Sequence, residues 1–115
     1  MSFLKKKETR TPEYRLEQIR AYQHRPLGKF SMYKNSARRK GLYFLVSFED
    51  FKKMIAADCF YCGDKSCGGV DRIDNSLGYI EGNLRSCCSM CNYMKKHYPD
   101  VDFIEQCIKI ALKNS

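Results

Sequence analysis

Cys59 and Cys62 enclose two residues, and so do Cys88 and Cys91. Two thiolates at that spacing grip one side of a tetrahedral ion and a second pair closes it, so the four read as a Zn²⁺ site. A closed four-cysteine site keeps no position for a reacting water. Its work is structural: metal binding supplies folding free energy to the loop-rich middle of the chain. Asp71 lies between the two pairs, and Asn92 directly follows the second. A carboxylate and a side-chain amide both offer hard oxygen donors. Brought to one point, they would hold Mg²⁺ and leave positions for water and a substrate phosphate. Lys95 and Lys96 come next and would flank such a site with phosphate contacts. Cys67, Cys87 and Cys107 are left over. Cys107 fits an apolar stripe and is expected in the core, whereas Cys87 and Cys67 remain alternative zinc ligands.

These donors converge only if short elements carry them. Residues 70–73 favour a strand, residues 74–78 are turn chemistry, and residues 83–86 favour a second strand. Residues 88–97 read as a helix that Pro99 stops. Asp71 would then sit on the first strand and Asn92 in the first turns of the helix. Upstream, Leu16, Ile19 and Tyr22 repeat at helical spacing within residues 13–24. Pro26 and Gly28 are expected to break the pattern before a second, very basic helix over residues 30–40, ended by Gly41. Residues 42–46 are apolar and aromatic, a strand or a buried connector. Ser47 and Asp50 form a capping-box pattern ahead of Phe48, Phe51 and Ile55, which predicts a helix over 48–57. Residues 58–70 are loop-like. Past Pro99, Asp100 can cap a helix over 101–113. Val101, Ile104, Ile108 and Leu112 line one side of it, and Phe103, Cys107 and Ala111 widen the stripe. That stripe is expected to pack on the core, with a dimer interface as the alternative.

The fold class expected is therefore α+β. A basic tail at 1–11, expected to be mobile, precedes a basic helical segment at 12–58. A zinc-stapled unit of two strands and a helix occupies 59–98, and a packing or dimerisation helix occupies 99–115. A chain of 115 residues is about one domain. Such a chain buries a thin core, which a metal staple would help. Its seven cysteines are an odd number, so complete internal disulfide pairing is excluded. The basic start is followed by no apolar signal segment, and no run approaches the roughly 18 apolar residues that span a membrane. The expected setting is reducing and intracellular, in the cytoplasm of a cell or as a virus- or phage-encoded product. Lys and Arg outnumber Asp and Glu by 21 to 13, for a net charge of +8. The excess is clustered, at 5–7, at Lys29, Lys34 and 38–40, and at Lys95 and Lys96. Clustered positive charge favours a polyanionic partner, and nucleic acid is the one expected.

The order from Gly69-Val70-Asp71-Arg72 through Asn83 to Cys88-x-x-Cys91-Asn92-x-x-Lys95 resembles the motif of HNH (ββα-metal) endonucleases. The match covers Cys59 to Lys95, and a looser likeness reaches upstream over residues 33–51. The resemblance implies a small ββα-metal core beside a structural four-cysteine zinc site. It implies a catalytic Mg²⁺ held by Asp71 and Asn92, and an Asn83 that holds the turn between the strands through bonds to the backbone. One departure matters. The family's usual general base is a histidine after the aspartate, and this chain has Arg72 there. An arginine stays protonated and can only donate, so Arg72 could clamp the scissile phosphate but not take a proton. Tyr79 is the candidate to replace the base, since an adjacent guanidinium and a cation favour a phenolate. A subgroup of rare-cutting HNH restriction endonucleases carries this Arg and Tyr and cuts as homodimers. In that subgroup a histidine after the upstream glycine assists the Tyr; here Leu42 follows Gly41, and His24 or His97 would have to substitute.

The resemblance makes the expected function metal-dependent cleavage of double-stranded DNA, sequence-specific and performed by a homodimer. Asp71, Arg72, Tyr79, Asn83 and Asn92 would form the catalytic set. Lys34, Arg38, Arg39 and Lys40 on the basic helix, with Arg85, Lys95 and Lys96, are the expected DNA contacts, mostly to phosphates. Two other readings stay open. One is a catalytically inactive zinc-containing module that binds nucleic acid, which the Asp-Arg departure favours. The other is a structure-specific nuclease acting on branched substrates.

Overall fold

A computed structural model describes residues 11–115, so the tail expected at 1–11 lies, apart from Thr11, outside the described residues. Thr11 caps the first helix, its side chain accepting from the Tyr14 N–H at 3.1 Å. Pro12 takes the first helical position, where a missing N–H costs nothing, and α1 runs Pro12–His24. Arg25 is extended, as the residue before a proline prefers. Pro26 then opens α2, Pro26–Arg39. The break expected at Pro26 and Gly28 is thus confined to Arg25, and the basic helix starts at Pro26 rather than at residue 30. Pro26 starts a helix here for the same reason Pro12 does. Gly41, at φ 70°, ends α2. The N–H groups of Gly41 and Leu42 bond back to the carbonyls of Arg38 and Ala37 at 3.1 and 2.8 Å. That pair of bonds terminates helices on a left-handed glycine.

Ser47 caps α3, Phe48–Ala56, by accepting from the Asp50 N–H at 3.1 Å. Phe51 and Ile55 of α3 meet Val70 in a buried cluster, with Phe30, Tyr33, Val46, Met54 and Leu84 packed around it. Phe30 stands edge-on to Phe44, Phe48 and Phe51, at centroid distances of 5.3, 5.4 and 5.5 Å. Edge-to-face aromatic packing therefore joins α2 to α3 and fixes the floor under the first strand.

Two three-residue strands follow, β1 (Val70–Arg72) and β2 (Leu84–Ser86). They pair antiparallel with Val70 opposite Ser86, Asp71 opposite Arg85 and Arg72 opposite Leu84. Residues 42–46 are an extended connector that makes one isolated parallel bridge, Phe44 to Tyr79. At Gly78 an added Cβ would stand 2.5 Å from the Tyr43 carbonyl oxygen, so only glycine lets the connector approach the loop this closely. Helix α4, Ser89–Lys95, leaves β2 through Cys87 and Cys88. Helix α5, Asp100–Lys113, completes an α+β fold with a small two-stranded sheet.

The stripe on α5 departs from expectation. No residue of α5 is buried, and Val101, Ile108 and Leu112 are 62%, 52% and 71% exposed. Phe103 and Cys107 are half-buried, and Phe103 packs edge-on against Tyr61 at 5.5 Å. The reason is area: the short α4 and the cysteine-bearing turn offer α5 too little surface to cover its stripe. An apolar groove of about 560 Å³ remains between them, bordered by Met90, Met94, Phe103, Ile104 and Ile108.

Candidate metal centres and the polar cleft

The cysteine pairs meet. Cys59 follows α3, and its turn is closed by Gly63 N–H to the Cys59 carbonyl at 3.0 Å, with Gly63 at φ 80°. The Phe60 N–H reaches the Ser86 carbonyl at 2.8 Å, which docks this turn on β2. Cys88 caps α4, its sulfur accepting from the Cys91 N–H at 3.4 Å. The sulfurs of Cys59, Cys62, Cys88 and Cys91 all lie within 4.8 Å of one another, and Cys62 Sγ is 3.7 Å from Cys88 Sγ. A zinc ion bound tetrahedrally by thiolates at about 2.3 Å sets sulfur–sulfur edges near 3.8 Å, so the donor set fits it. Burial opposes ionisation of Cys59, but N–H groups of Cys62, Cys88 and Tyr61 bring it down to about 6. Burial and the neighbouring thiols push Cys91 up. Four crowded thiols cannot all ionise without a cation, which is what a metal supplies. Cys87 and Cys67 do not join the set. Cys87 Sγ donates to the Cys88 carbonyl at 3.4 Å and Cys67 Sγ to that of Gly69 at 3.3 Å.

Beside this cluster lies a polar cleft of about 340 Å³. It gathers Lys40 from the end of α2, Asp71 and Arg72 from β1, Tyr79 from the loop, Asn92 from α4, and Lys96 and His97 beyond it. Asp71 is 3% exposed, and its Oδ2 accepts from the Tyr61 hydroxyl at 2.9 Å and lies 3.3 Å from Lys95 Nζ. Asn92 donates through Nδ2 to the Val70 carbonyl at 3.3 Å, which spares its Oδ1. Arg72 donates through Nη1 to the carbonyls of Asn75 and Leu77 at 2.6 and 2.9 Å, and its Cζ stands 5.4 Å from the Tyr79 ring centre. The backbone of Tyr79 is gripped on both sides, by the Tyr43 carbonyl and the Leu45 N–H, each at 2.8 Å.

The loop between the strands is held by Asn83. Its Oδ1 accepts from the Asp74 N–H at 2.8 Å, and its Nδ2 donates to the carbonyls of Asp74 and Gly78 at 3.1 and 2.9 Å. Asp74 accepts in turn from the Ser76 N–H and hydroxyl, which hold its carboxyl below the usual range. Lys96 ends α4 at φ 52° and ψ −122°, an unusual backbone for a residue with a side chain. That turn directs Lys96 and His97 into the cleft, where His97 stacks on Tyr98 at 4.8 Å. His24, at the end of α1, does not line it.

Two expected DNA contacts are corrected. Lys95 is 1% exposed and lies behind Asp71, one helical turn past the inward-facing Cys91, so it reaches no phosphate. Arg85 is engaged elsewhere: it binds Asp100 at 2.7 Å and covers the Phe60 ring at 4.1 Å. Lys34, Arg38 and Arg39 are exposed on α2. Tyr61 was missed altogether. Its place between two zinc-type cysteines carries no signal for a bond to Asp71, because the contact depends on how the turn docks on β2. Burial first, and then the bond to Asp71, push its phenol up.

No family model and no solved structure matches the chain. A curated relative, "Uncharacterized protein R423" of Acanthamoeba polyphaga mimivirus, is 44% identical over 87 residues. That match covers 72% of this chain and 16% of the viral protein, so the likeness is to a segment of a larger chain whose name assigns no activity.

Proposed function

We propose that the chain is a metal-dependent DNA endonuclease of the HNH (ββα-metal) type, hydrolysing phosphodiester bonds. One observation carries this reading: Asp71, Arg72, Tyr79 and Asn92 line a single cleft together with Lys40 and Lys96. The order strand, strand, helix beside a four-cysteine cluster supports it. Asp71 and Asn92 would hold Mg²⁺, which when bound supplies Lewis-acid charge at the phosphate and a more acidic water. Arg72 spends its Nη1 on the loop and keeps its other N–H donors for a phosphate oxygen. Lys40 and Lys96 add positive charge beside that phosphate, and Lys34, Arg38 and Arg39 extend it along α2 as backbone contacts. Tyr79 is the candidate proton acceptor, held in place by its backbone and by the Asn83-braced loop. His97 lines the same cleft and is the other acceptor there. Zn²⁺ at Cys59, Cys62, Cys88 and Cys91 is structural. Cutting both strands at one site would take a homodimer on double-stranded DNA, and two-fold symmetry then implies a palindrome.

A second reading is favoured by one contact pair. Both bonds from Arg72 Nη1 brace the loop, as they would in a zinc module that binds nucleic acid and cuts nothing. The test is incubation of supercoiled plasmid with the protein, in Mg²⁺ or EDTA, alongside Asp71→Ala. Discrete Mg²⁺-dependent fragments, lost in a variant that keeps the wild-type circular dichroism and zinc content, establish the endonuclease and give its site. Cutting confined to branched substrates makes it structure-specific. Intact binding without any cutting hands the function to the inactive module.

A further inference from the structure

Asp71 is held from behind, by one oxygen. Its Oδ2 takes the Tyr61 hydroxyl at 2.9 Å and stands 3.3 Å from Lys95 Nζ. The two holders come from the two segments that bear the cysteines. Tyr61 lies between Cys59 and Cys62, on the turn that Phe60 N–H docks on Ser86. Lys95 lies on α4, whose cap is Cys88 and whose first turn carries Cys91. The turn and the helix that carry the four sulfurs thus also carry the two groups that meet at Asp71 Oδ2. Among the described residues Lys95 Nζ is buried without a hydrogen bond and pairs with Asp71, while its charge also reaches the Asp100 carboxyl. A buried ion pair of this kind is a poor stability device, since desolvation offsets its attraction. Its value lies in where it puts the carboxylate.

We propose that Tyr61 and Lys95 are positioning residues that hold Asp71 by Oδ2, leave Oδ1 for the cation of the cleft, and so make that cation's affinity depend on the four-cysteine site. The proposal rests on Asp71 being a cation ligand, as argued above. A metal-ligating carboxylate is aimed by its own hydrogen bonds, and loss of such a partner commonly costs 10- to 100-fold in metal affinity. Here the partner is delivered by the structural metal site, so the two centres are mechanically linked: the staple orients the catalytic ligand as well as holding the fold.

The experiment uses the zinc-loaded full chain and Tyr61→Phe, which removes one hydroxyl and little volume. Mn²⁺ binding is followed by electron paramagnetic resonance or calorimetry, zinc content by metal analysis, and Asp71→Ala is run in parallel. The expected result is unchanged zinc content in Tyr61→Phe with Mn²⁺ affinity lowered by about tenfold or more. Mn²⁺ affinity equal to wild type, with Asp71→Ala binding none, overturns the positioning role alone. Zinc loss in Tyr61→Phe also overturns it, by making Tyr61 a folding residue. Undiminished Mn²⁺ binding by Asp71→Ala, or none by the wild-type protein, overturns the reading of Asp71 as a ligand and the proposal with it.

Discussion

At Lys95 and Asp71 an ammonium and a carboxylate are both taken out of water, at 1% and 3% side-chain exposure and 3.3 Å apart. Removing one partner of such a pair strands the other charge. Lys95→Met is close in size and should destabilise the fold by about 3–5 kcal/mol, read as a lower urea midpoint at unchanged slope. The double variant with Asp71→Leu should recover most of that loss, because no charge is left stranded. A single-variant loss below about 1 kcal/mol would show that water or a cation already reaches the pair. On the proposed endonuclease reading the cleft sets a second question at this scale, which group would accept the proton. Arg72 cannot. Tyr79→Phe is expected to lower single-turnover cleavage by about 10² or more. A rate near wild type would move the role to His97, and His97→Gln should then produce the loss instead.

The elements that position these residues were legible to unequal degrees. The two strands fall at 70–72 and 84–86, inside the spans expected from turn chemistry flanked by apolar residues, and Ser47 and Gly41 cap and stop helices as their types require. Lys95 was misread because adjacent lysines look like surface, whereas helical geometry decides otherwise: Cys91 faces inward, and Lys95 follows it one turn later. The α5 stripe, expected to pack on the core or to form a dimer interface, stays largely exposed in the single chain. Amphipathic spacing says that a face needs cover, not what covers it. What does tether α5 is Arg85 to Asp100 at 2.7 Å, a link between β2 and the first residue of the helix. The Arg85 guanidinium holds the Asp100 carboxyl below its ordinary value. A depressed folded value means that the tether is complete above the ordinary aspartate range and is lost as pH falls through the folded value. Asp100→Asn should therefore speed amide exchange in the first turns of α5 at neutral pH, while exchange at Phe51 and Ile55 stays slow. In the wild-type protein the same loosening should appear only in acid. Equal exchange in both proteins would mean that Phe103 on Tyr61 suffices to hold the helix.

Over the whole molecule the core is divided, with one aromatic cluster around Phe51 and one cluster of cysteines, and neither is large. Among the described residues no helix is long and apolar enough to cross a membrane. A divided core would make a metal held by the four cysteines a second centre of folding. Stripping zinc with a strong chelator should collapse residues 59–98, seen as lost chemical-shift dispersion there, while α1 to α3 retain part of their helicity. Uniform persistence of structure after zinc removal would show that the cysteine cluster packs adequately without an ion. The net charge of +8 acts at the same scale, and on the proposed reading its distribution separates the basic residues free to meet DNA from those already spent. Each phosphate neutralised by a lysine or arginine releases counterions, so log K falls with log salt in proportion to the number of contacts. Lys34 and Arg38 stand exposed on α2, whereas Arg85 is tied to Asp100. Lys34→Ala and Arg38→Ala should each shallow the salt slope of DNA binding by about 1, while Arg85→Ala should leave it unchanged. If Arg85→Ala alone shallowed the slope, DNA would run along β2 and the start of α5, and the cleft that holds Asp71 and Asn92 would no longer face the phosphates.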